Sequence, residues 1–335
     1  MARIAVFGLG VWGFCLARHL SLNGHQVIGW SRDHDLLSAL QDGKDHPHLD
    51  RSLRGLSICL TSNMREAFSD VDCIVESVTT SGLREVFTEM KQLGFSSVDK
   101  TIVLTSKGVE KVTHTLPPLI AEEVFGKEIK AQIAMLSGPS FALEVAKGLP
   151  TAVVSGSSNL ETAKKTAAYF SNDTFRVYPN EDIIGVSLGG ALKNIIAIAC
   201  GIADGLQLGT GAKASLVTRG LHEMVKLAIP MGASLQTLYG LSGLGDLYLT
   251  CSSPLSRNFR FGSLLSQGLS GKEAEAHIGM VVEGASTAIA AYELAQEHQV
   301  SMPIITAVYD VIHCKSSAKE AVTLLMQRMV KEEKL

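Results

Sequence analysis

The sequence predicts an α/β domain built on a mostly parallel sheet, followed by an all-helical domain. Three observations carry this reading. Short, nearly continuous apolar runs alternate with helical patterns up to about residue 180, a glycine-rich turn follows the first run, and strand signals cease from Glu181 onward. A chain of 335 residues is long enough for two domains with a core in each, and we divide it at 1–180 and 181–335. Hydrophobic content of 46% and charged content of 19% describe a globular protein. A net charge of −3 offers no basic field for nucleic acid or anionic lipid, so basic groups for an anionic ligand must be local.

The first run, 3–7, ends at Gly8-Leu9-Gly10-Val11-Trp12-Gly13, and helical spacing follows over 14–23 until Gly24. Such glycines permit a tight turn, close approach of backbone to a pyrophosphate, and close helix–strand packing. The motif alone is weak; its place after the first strand, with a second strand at 26–30, strengthens it. That second strand ends in Trp30-Ser31-Arg32, with no acid for a ribose 2′-OH. Arg32 can accept a 2′-phosphate instead, and Asp33 can still serve a ribose, so NAD and NADP both stay open. Further strands are expected at 56–60, 73–78, 101–105, 132–136, 152–155 and 175–178, with helices at 83–93, 116–125 and 160–170. Two polar signatures fall at strand ends, where ligands bind in such sheets: Thr105-Ser106-Lys107-Gly108 and Ser137-Gly138-Pro139-Ser140. Lys107 is a candidate for an anionic ligand, although a lysine there is more often simply exposed.

The helical half opens with the stretch 181–204, apolar on nearly every side except at Lys193 and Asn194. Its length allows a membrane crossing, but a central lysine would cost about 2.5–3.5 kcal/mol there and no basic flank orients it. A buried core helix is the better reading, with Gly185, Gly189 and Gly190 permitting close approach of other backbone or a ligand. Burial would draw the Lys193 pKa down toward general acid–base work; snorkelling to water is the plainer alternative. More helices are expected at 214–227, 254–265, 284–298, 303–313 and 318–330. The turn at 240–246 delivers Asp246, either to orient Lys193 or to cap the next helix. Ser256 can cap a helix whose amides, with Arg257, make a phosphate site; a solvated arginine pair is the alternative. Glu283 follows a third turn-like segment, 279–284.

Cys15, Cys59, Cys73, Cys200, Cys251 and Cys314 show neither C-x-x-C pairing nor metal spacing. They read as small apolar residues in a reducing compartment, with no metal expected. The apolar run after Arg3 is interrupted by Gly8, Gly10 and Gly13, so we expect no targeting segment and a cytoplasmic protein.

Seven motifs, in order, make a more specific pattern than any one of them. They are Gly8-x-Gly10-x-Trp12-Gly13, Ser106-Lys107-Gly108, Ser137-Gly138-Pro139-Ser140, Gly189-Gly190-Ala191-Leu192-Lys193-Asn194, Gly243-Leu244-Gly245-Asp246-Leu247, Ser256-Arg257-Asn258 and Val281-Val282-Glu283-Gly284. Together they resemble the bacterial NAD(P)-dependent glycerol-3-phosphate dehydrogenases over essentially the whole chain. The resemblance implies a Rossmann domain followed by an all-α domain of the 6-phosphogluconate dehydrogenase C-terminal type. It implies reversible reduction of dihydroxyacetone phosphate to sn-glycerol 3-phosphate, supplying phospholipid synthesis, and it leaves room for a homodimer. It implies Lys193 as the proton acceptor in oxidation, and Lys107, Gly138, Ser140, Asp246, Ser256, Arg257 and Asn258 around the substrate. Cofactor contacts are implied for Gly8, Gly10, Val11, Trp12, Gly13, Arg32, Lys107, Ala142, Arg257, Val281 and Glu283. With that context, the general acid–base reading of Lys193 replaces the snorkelling one.

Three places depart from the family's usual pattern. Val11 stands where serine is common, Phe14-Cys15 replaces a small Thr-Ala pair, and Glu76-Ser77-Val78-Thr79 stands where an apolar strand ends in Val-Pro. These bear on cofactor affinity and preference rather than on the catalytic groups. Two rivals remain at this level: a reductase of a 3-hydroxy acid on the same two-domain plan, and a non-catalytic NADPH-binding sensor.

Overall fold

The computed structural model describes residues 1–330 and residue 332, and the chain divides into two compact units. The first comprises 1–106 and 117–183, the second 107–116 and 184–335. Segment 107–116 therefore departs from the 1–180 division read from the sequence. Its Val109 and Leu116 are buried in the helical core of the second unit, and His114 Nε2 lies 2.6 Å from Glu293 Oε2.

The first unit is built on one eight-stranded sheet. Its strands are β1 (Arg3–Phe7), β2 (Gln26–Trp30), β3 (Ile58–Thr61), β4 (Cys73–Glu76), β5 (Thr101–Leu104), β6 (Ile133–Ser137), β7 (Thr151–Gly156) and β8 (Phe175–Asn180). Their spatial order is β3-β2-β1-β4-β5-β6-β7-β8, in which the first six follow the Rossmann arrangement. All neighbours are parallel except β6 and β7, which pair antiparallel. The central strands bury both faces: Ile4, Ala5, Val6 and Phe7 are fully buried, as are Ile102, Val103 and Leu104. Such strands read as unbroken apolar runs because helices cover both sides. The reversal at β7 carries no composition signal, since its apolar residues look like those of its parallel neighbours.

At the carboxyl edge, β4 ends in a wholly buried carboxyl group, that of Glu76. Its Oε1 accepts from the Val78 amide at 2.7 Å, and its Oε2 faces the Thr105 amide at 3.3 Å and the Ser106 amide at 3.4 Å. The Ser106 hydroxyl oxygen lies 2.5 Å from Glu76 Oε1 and 2.8 Å from the Val78 carbonyl oxygen. The Ser106 hydroxyl is thus shared between the Glu76 carboxyl and the Val78 carbonyl, to both of which it can donate. Burial pushes the Glu76 pKa up to about 7 against the lowering effect of these hydrogen bonds. The departure seen in the sequence is thus a polar tie between the ends of β4 and β5.

The second unit is helical. Its longest helix, Ile183–Gly205, has 23 residues and is long and apolar enough to cross a membrane by length and composition. In the structure it is the buried spine of the unit, with Leu188, Leu192, Ile195, Ile196 and Ile198 all at zero exposure. Burying one such side chain stabilises by roughly 1.5–3 kcal/mol. Around it pack helices including Gly209–Ala228, Arg257–Ser266, Glu283–Glu297 and Pro303–Ile312. Several begin where a cap dictates. The pattern expected at 254–265 starts instead at Arg257, because the Ser256 hydroxyl accepts from the Phe259 amide at 3.2 Å. The one expected at 318–330 starts at Ala318 under a reciprocal Ser317–Glu320 capping box and ends at Met326.

Glu76 yields a stability prediction. Its pKa is raised on folding, from 4.5 to about 7, so its contribution is fully present below pH 4.5 and is lost as pH rises through 7. At about 1.4 kcal/mol per pKa unit, the wild type should lose on the order of 3 kcal/mol of unfolding free energy relative to Glu76→Gln between pH 4.5 and 8. Urea unfolding of both proteins across that range measures it; parallel pH curves would show that Glu76 does not titrate there.

Candidate active site

The chemistry of the second unit gathers on the spine helix. Lys193 is 7% exposed, and its ammonium donates to Asp246 Oδ1 at 2.5 Å and to Thr250 Oγ1 at 2.8 Å. Thr250 can accept because its own hydroxyl donates to the Asp246 main-chain carbonyl at 2.6 Å. The second oxygen of the same carboxylate, Oδ2, accepts from Lys107 Nζ at 2.9 Å. One buried carboxylate is therefore shared by two lysines. Burial lowers the Lys193 pKa, Asp246 raises it, and Lys107 lowers it again; the outcome is a pKa brought down from 10.5 to about 8. The opposition between burial and carboxylate, open in the sequence, resolves downward.

Backbone approach makes this cluster. A Cβ on Gly189 would lie 2.5 Å from the Ser242 carbonyl oxygen, so only glycine lets the spine helix meet the 241–245 segment so closely. That segment is a single π turn, Leu241–Gly245, and it leads directly into the helix Asp246–Ser252. Gly189 and Lys193 are four residues apart on one helical face, so the approach at Gly189 presents Asp246 to the ammonium. Asp246 opens its helix, yet its side chain goes to the lysines, which excludes the capping alternative.

An amide chain supports the cluster. Asn194 Nδ2 donates to the Lys107 carbonyl at 3.2 Å, Asn258 Nδ2 donates to Asn194 Oδ1 at 2.9 Å, and the Gly284 amide donates to Asn258 Oδ1 at 3.0 Å. Asn258, expected beside the substrate, uses its amide to join three segments. Its neighbours Ser256 and Arg257 stand at the start of the Arg257–Ser266 helix, where Arg257 Nη1 donates to the Val281 carbonyl at 3.3 Å. Val281 precedes the helix Glu283–Glu297, so Arg257, Val281 and Glu283 fall in one neighbourhood. Thr250 and Asn194 were not singled out as site residues in the sequence. The available signal was their spacing, since Thr250 lies one turn beyond Asp246 and Asn194 adjoins Lys193.

In the first unit, Gly8 has φ 94°, and a Cβ on Gly13 would lie 1.9 Å from the Gly8 carbonyl oxygen. Gly10 has no atom within 4 Å of its virtual Cβ, and it caps the helix Val11–Leu22 without a side-chain bond. The two outer glycines are required by packing; the middle one opens the helix start to an approaching anion. The buried Trp12 Nε1 has no hydrogen-bond partner among the described residues. These residues suit a dinucleotide pyrophosphate. Phe14 packs on the His46 ring with centroids 4.8 Å apart, and the Cys15 thiol donates to the Ala142 carbonyl at 3.4 Å. Both larger residues are thus accommodated in the core. Gly138 and Ser140 follow β6, with Ser140 Oγ donating to the Gly138 carbonyl at 3.0 Å. Arg32, at the end of β2, is paired with Glu85 and Glu89, and Asp33 Oδ1 accepts from the Leu36 amide at 2.9 Å as a helix cap.

The sequence matches the N-terminal model of the NAD-dependent glycerol-3-phosphate dehydrogenases over residues 3–163 and the C-terminal model over 182–323. It belongs to this family. Glycerol-3-phosphate dehydrogenase [NAD(P)+] of Protochlamydia amoebophila is 50% identical over 335 residues, the whole of both chains. The protein of the same name from Chlamydia pneumoniae is 49% identical over 99% of this chain and 98% of its own. Among solved structures, glycerol-3-phosphate dehydrogenase from Coxiella burnetii superposes with a TM-score of 0.89 at 37% identity, covering 98% of this chain and 99% of its own. The family is one of NAD(P)-dependent oxidoreductases with a Rossmann domain followed by a helical domain.

Gly189→Ala tests the approach that builds the lysine cluster. The added methyl collides with main chain, so about 1–3 kcal/mol of stability should be lost as the 241–245 turn moves. Turnover should fall by more than the loss of folded protein accounts for. Calorimetry with kinetics on the folded fraction measures both; unaltered turnover would show that the approach does not set the cluster.

Proposed function

We propose that the protein catalyses the reversible, nicotinamide-dependent reduction of dihydroxyacetone phosphate to sn-glycerol 3-phosphate, with Lys193 as general acid and base. The observation that carries the proposal is the buried Lys193 ammonium, with pKa lowered to about 8 and two of its three donors fixed on Asp246 and Thr250. A lysine so held can give or take one proton in a fixed direction near neutral pH. The family match and the 50% identical relative support the substrate assignment.

Bound nicotinamide supplies or accepts the hydride. As the ketone is reduced, negative charge grows on its oxygen, and the third Lys193 proton neutralises it. In oxidation the neutral amine removes the hydroxyl proton. Lys107, on the other oxygen of Asp246, adds positive potential near the same carboxylate. The Ser256-capped helix start and Arg257 hold the substrate phosphate, fixing the reacting carbon by a remote anchor. Gly8, Gly10, Val11, Trp12, Gly13 and Ala142 hold the dinucleotide in the first unit; the family resemblance gives Arg257, Val281 and Glu283 as further cofactor contacts. Gly138 and Ser140 line the substrate. The product feeds glycerophospholipid synthesis in the cytoplasm, a setting supported by six free cysteines.

Loss of NADH or NADPH absorbance on adding dihydroxyacetone phosphate tests the reaction, and no consumption with either cofactor would sink it. Lys193→Ala should lower kcat by about 100-fold or more while cofactor affinity holds. Arg257→Ala should act chiefly on substrate KM, whereas an unchanged KM would remove the phosphate role. The pH profiles follow from the required protonation state. Oxidation of glycerol 3-phosphate should rise, and ketone reduction fall, as pH passes through about 8, and Lys193→Ala should abolish that limb.

A further inference from the structure

The carboxyl end of β2 is where Rossmann domains read the adenosine ribose, and a lone arginine there takes the 2′-phosphate that distinguishes NADP from NAD. Arg32 stands at that point but is not alone. Its Nη1 donates to Glu85 Oε1 at 2.6 Å and its Nη2 to Glu89 Oε2 at 2.6 Å. The two glutamates lie four residues apart on the helix Thr80–Gln92, so they face the guanidinium as a pair. The guanidinium carbon also lies 5.8 Å from the centroid of the Trp30 ring. We infer that Glu85 and Glu89 clamp Arg32 and set the chain to prefer NAD(H) over NADP(H), an inference that rests on the dinucleotide reading of the first unit.

The charges support it. One guanidinium faces Glu85 and Glu89, and Asp33 adds a third carboxylate one residue along the chain, already fixed as a helix cap. A 2′-phosphate would bring about two more negative charges to this group and would have to take both outer nitrogens from the glutamates. A neutral ribose diol meets no such penalty, and its hydroxyls can donate to carboxylate oxygens. The side chains of Arg32, Glu85 and Glu89 are 47%, 69% and 42% exposed, so solvent screens each pair. Two exposed pairs of ordinary strength then correspond to discrimination of about tenfold.

Calorimetric titration of the full-length protein with NAD+ and with NADP+ measures this without turnover. The wild type should bind NAD+ more tightly by about tenfold, and Glu85→Gln with Glu89→Gln should largely remove that ratio. Arg32→Ala alone should widen the ratio, since Glu85 and Glu89 are then unneutralised, and added to the double variant it should cancel the gain for NADP+, because the released guanidinium is what binds the phosphate. Tighter binding of NADP+ by the wild type, with a ratio unmoved by the glutamine substitutions, overturns the clamp. Binding of neither dinucleotide overturns the cofactor site itself, and the inference with it.

Discussion

One buried ion pair governs the second unit: the Lys193 ammonium on the Asp246 carboxylate, both withdrawn from water. Removing two charges from solvent costs several kcal/mol each, and a simple pair would hold the lysine protonated well above neutral pH. The second lysine alters that balance. Lys107 draws on the other oxygen of the same carboxylate, so Asp246 neutralises neither lysine fully. The cluster keeps one net positive charge, and burial then tells on the more deeply placed amine.

Such a cluster holds only if its members cannot drift apart, and the packing meets that demand by removing side chains rather than adding them. A Cβ on Gly189 would strike the Ser242 carbonyl, one on Gly201 the Phe259 carbonyl, and one on Gly262 the Ile198 carbonyl. The spine helix therefore meets both the π turn and the Arg257–Ser266 helix at backbone contact. Ile195, Ile196 and Ile198 fill the remaining space and keep water out. Close packing and low pKa have a single origin in this helix.

Much of this was legible in the sequence, because glycine spacing and a lysine within an apolar helix are local signals. Lys193, Asp246 and Lys107 were readable as candidates, but their sharing of one carboxylate was not, since it joins residues 139 apart in the chain. Segment 107–116 groups with the second unit for a reason the sequence does not carry: Val109 and Leu116 report apolarity without naming the core they enter. Thr250 and Asn194 are ordinary polar residues in composition, and their roles exist only through hydrogen-bond partners. Glu76 read as a departure from an apolar strand end. It is an apolar position in burial, made tolerable by two backbone amides on one oxygen and a third amide with a hydroxyl on the other.

Two motifs of opposite charge use the same geometry under different dielectric conditions. In the second unit one carboxylate is shared by two cations, and the excess is positive. In the first unit one guanidinium is shared by two carboxylates, and the excess is negative. The first is buried, and loss of hydration brings the Lys193 pKa down to about 8 although Asp246 opposes it. The second is exposed, so the same arithmetic yields only a bias between ligands that differ by a dianion. Burial decides which of the two can take part in proton transfer and which can only select.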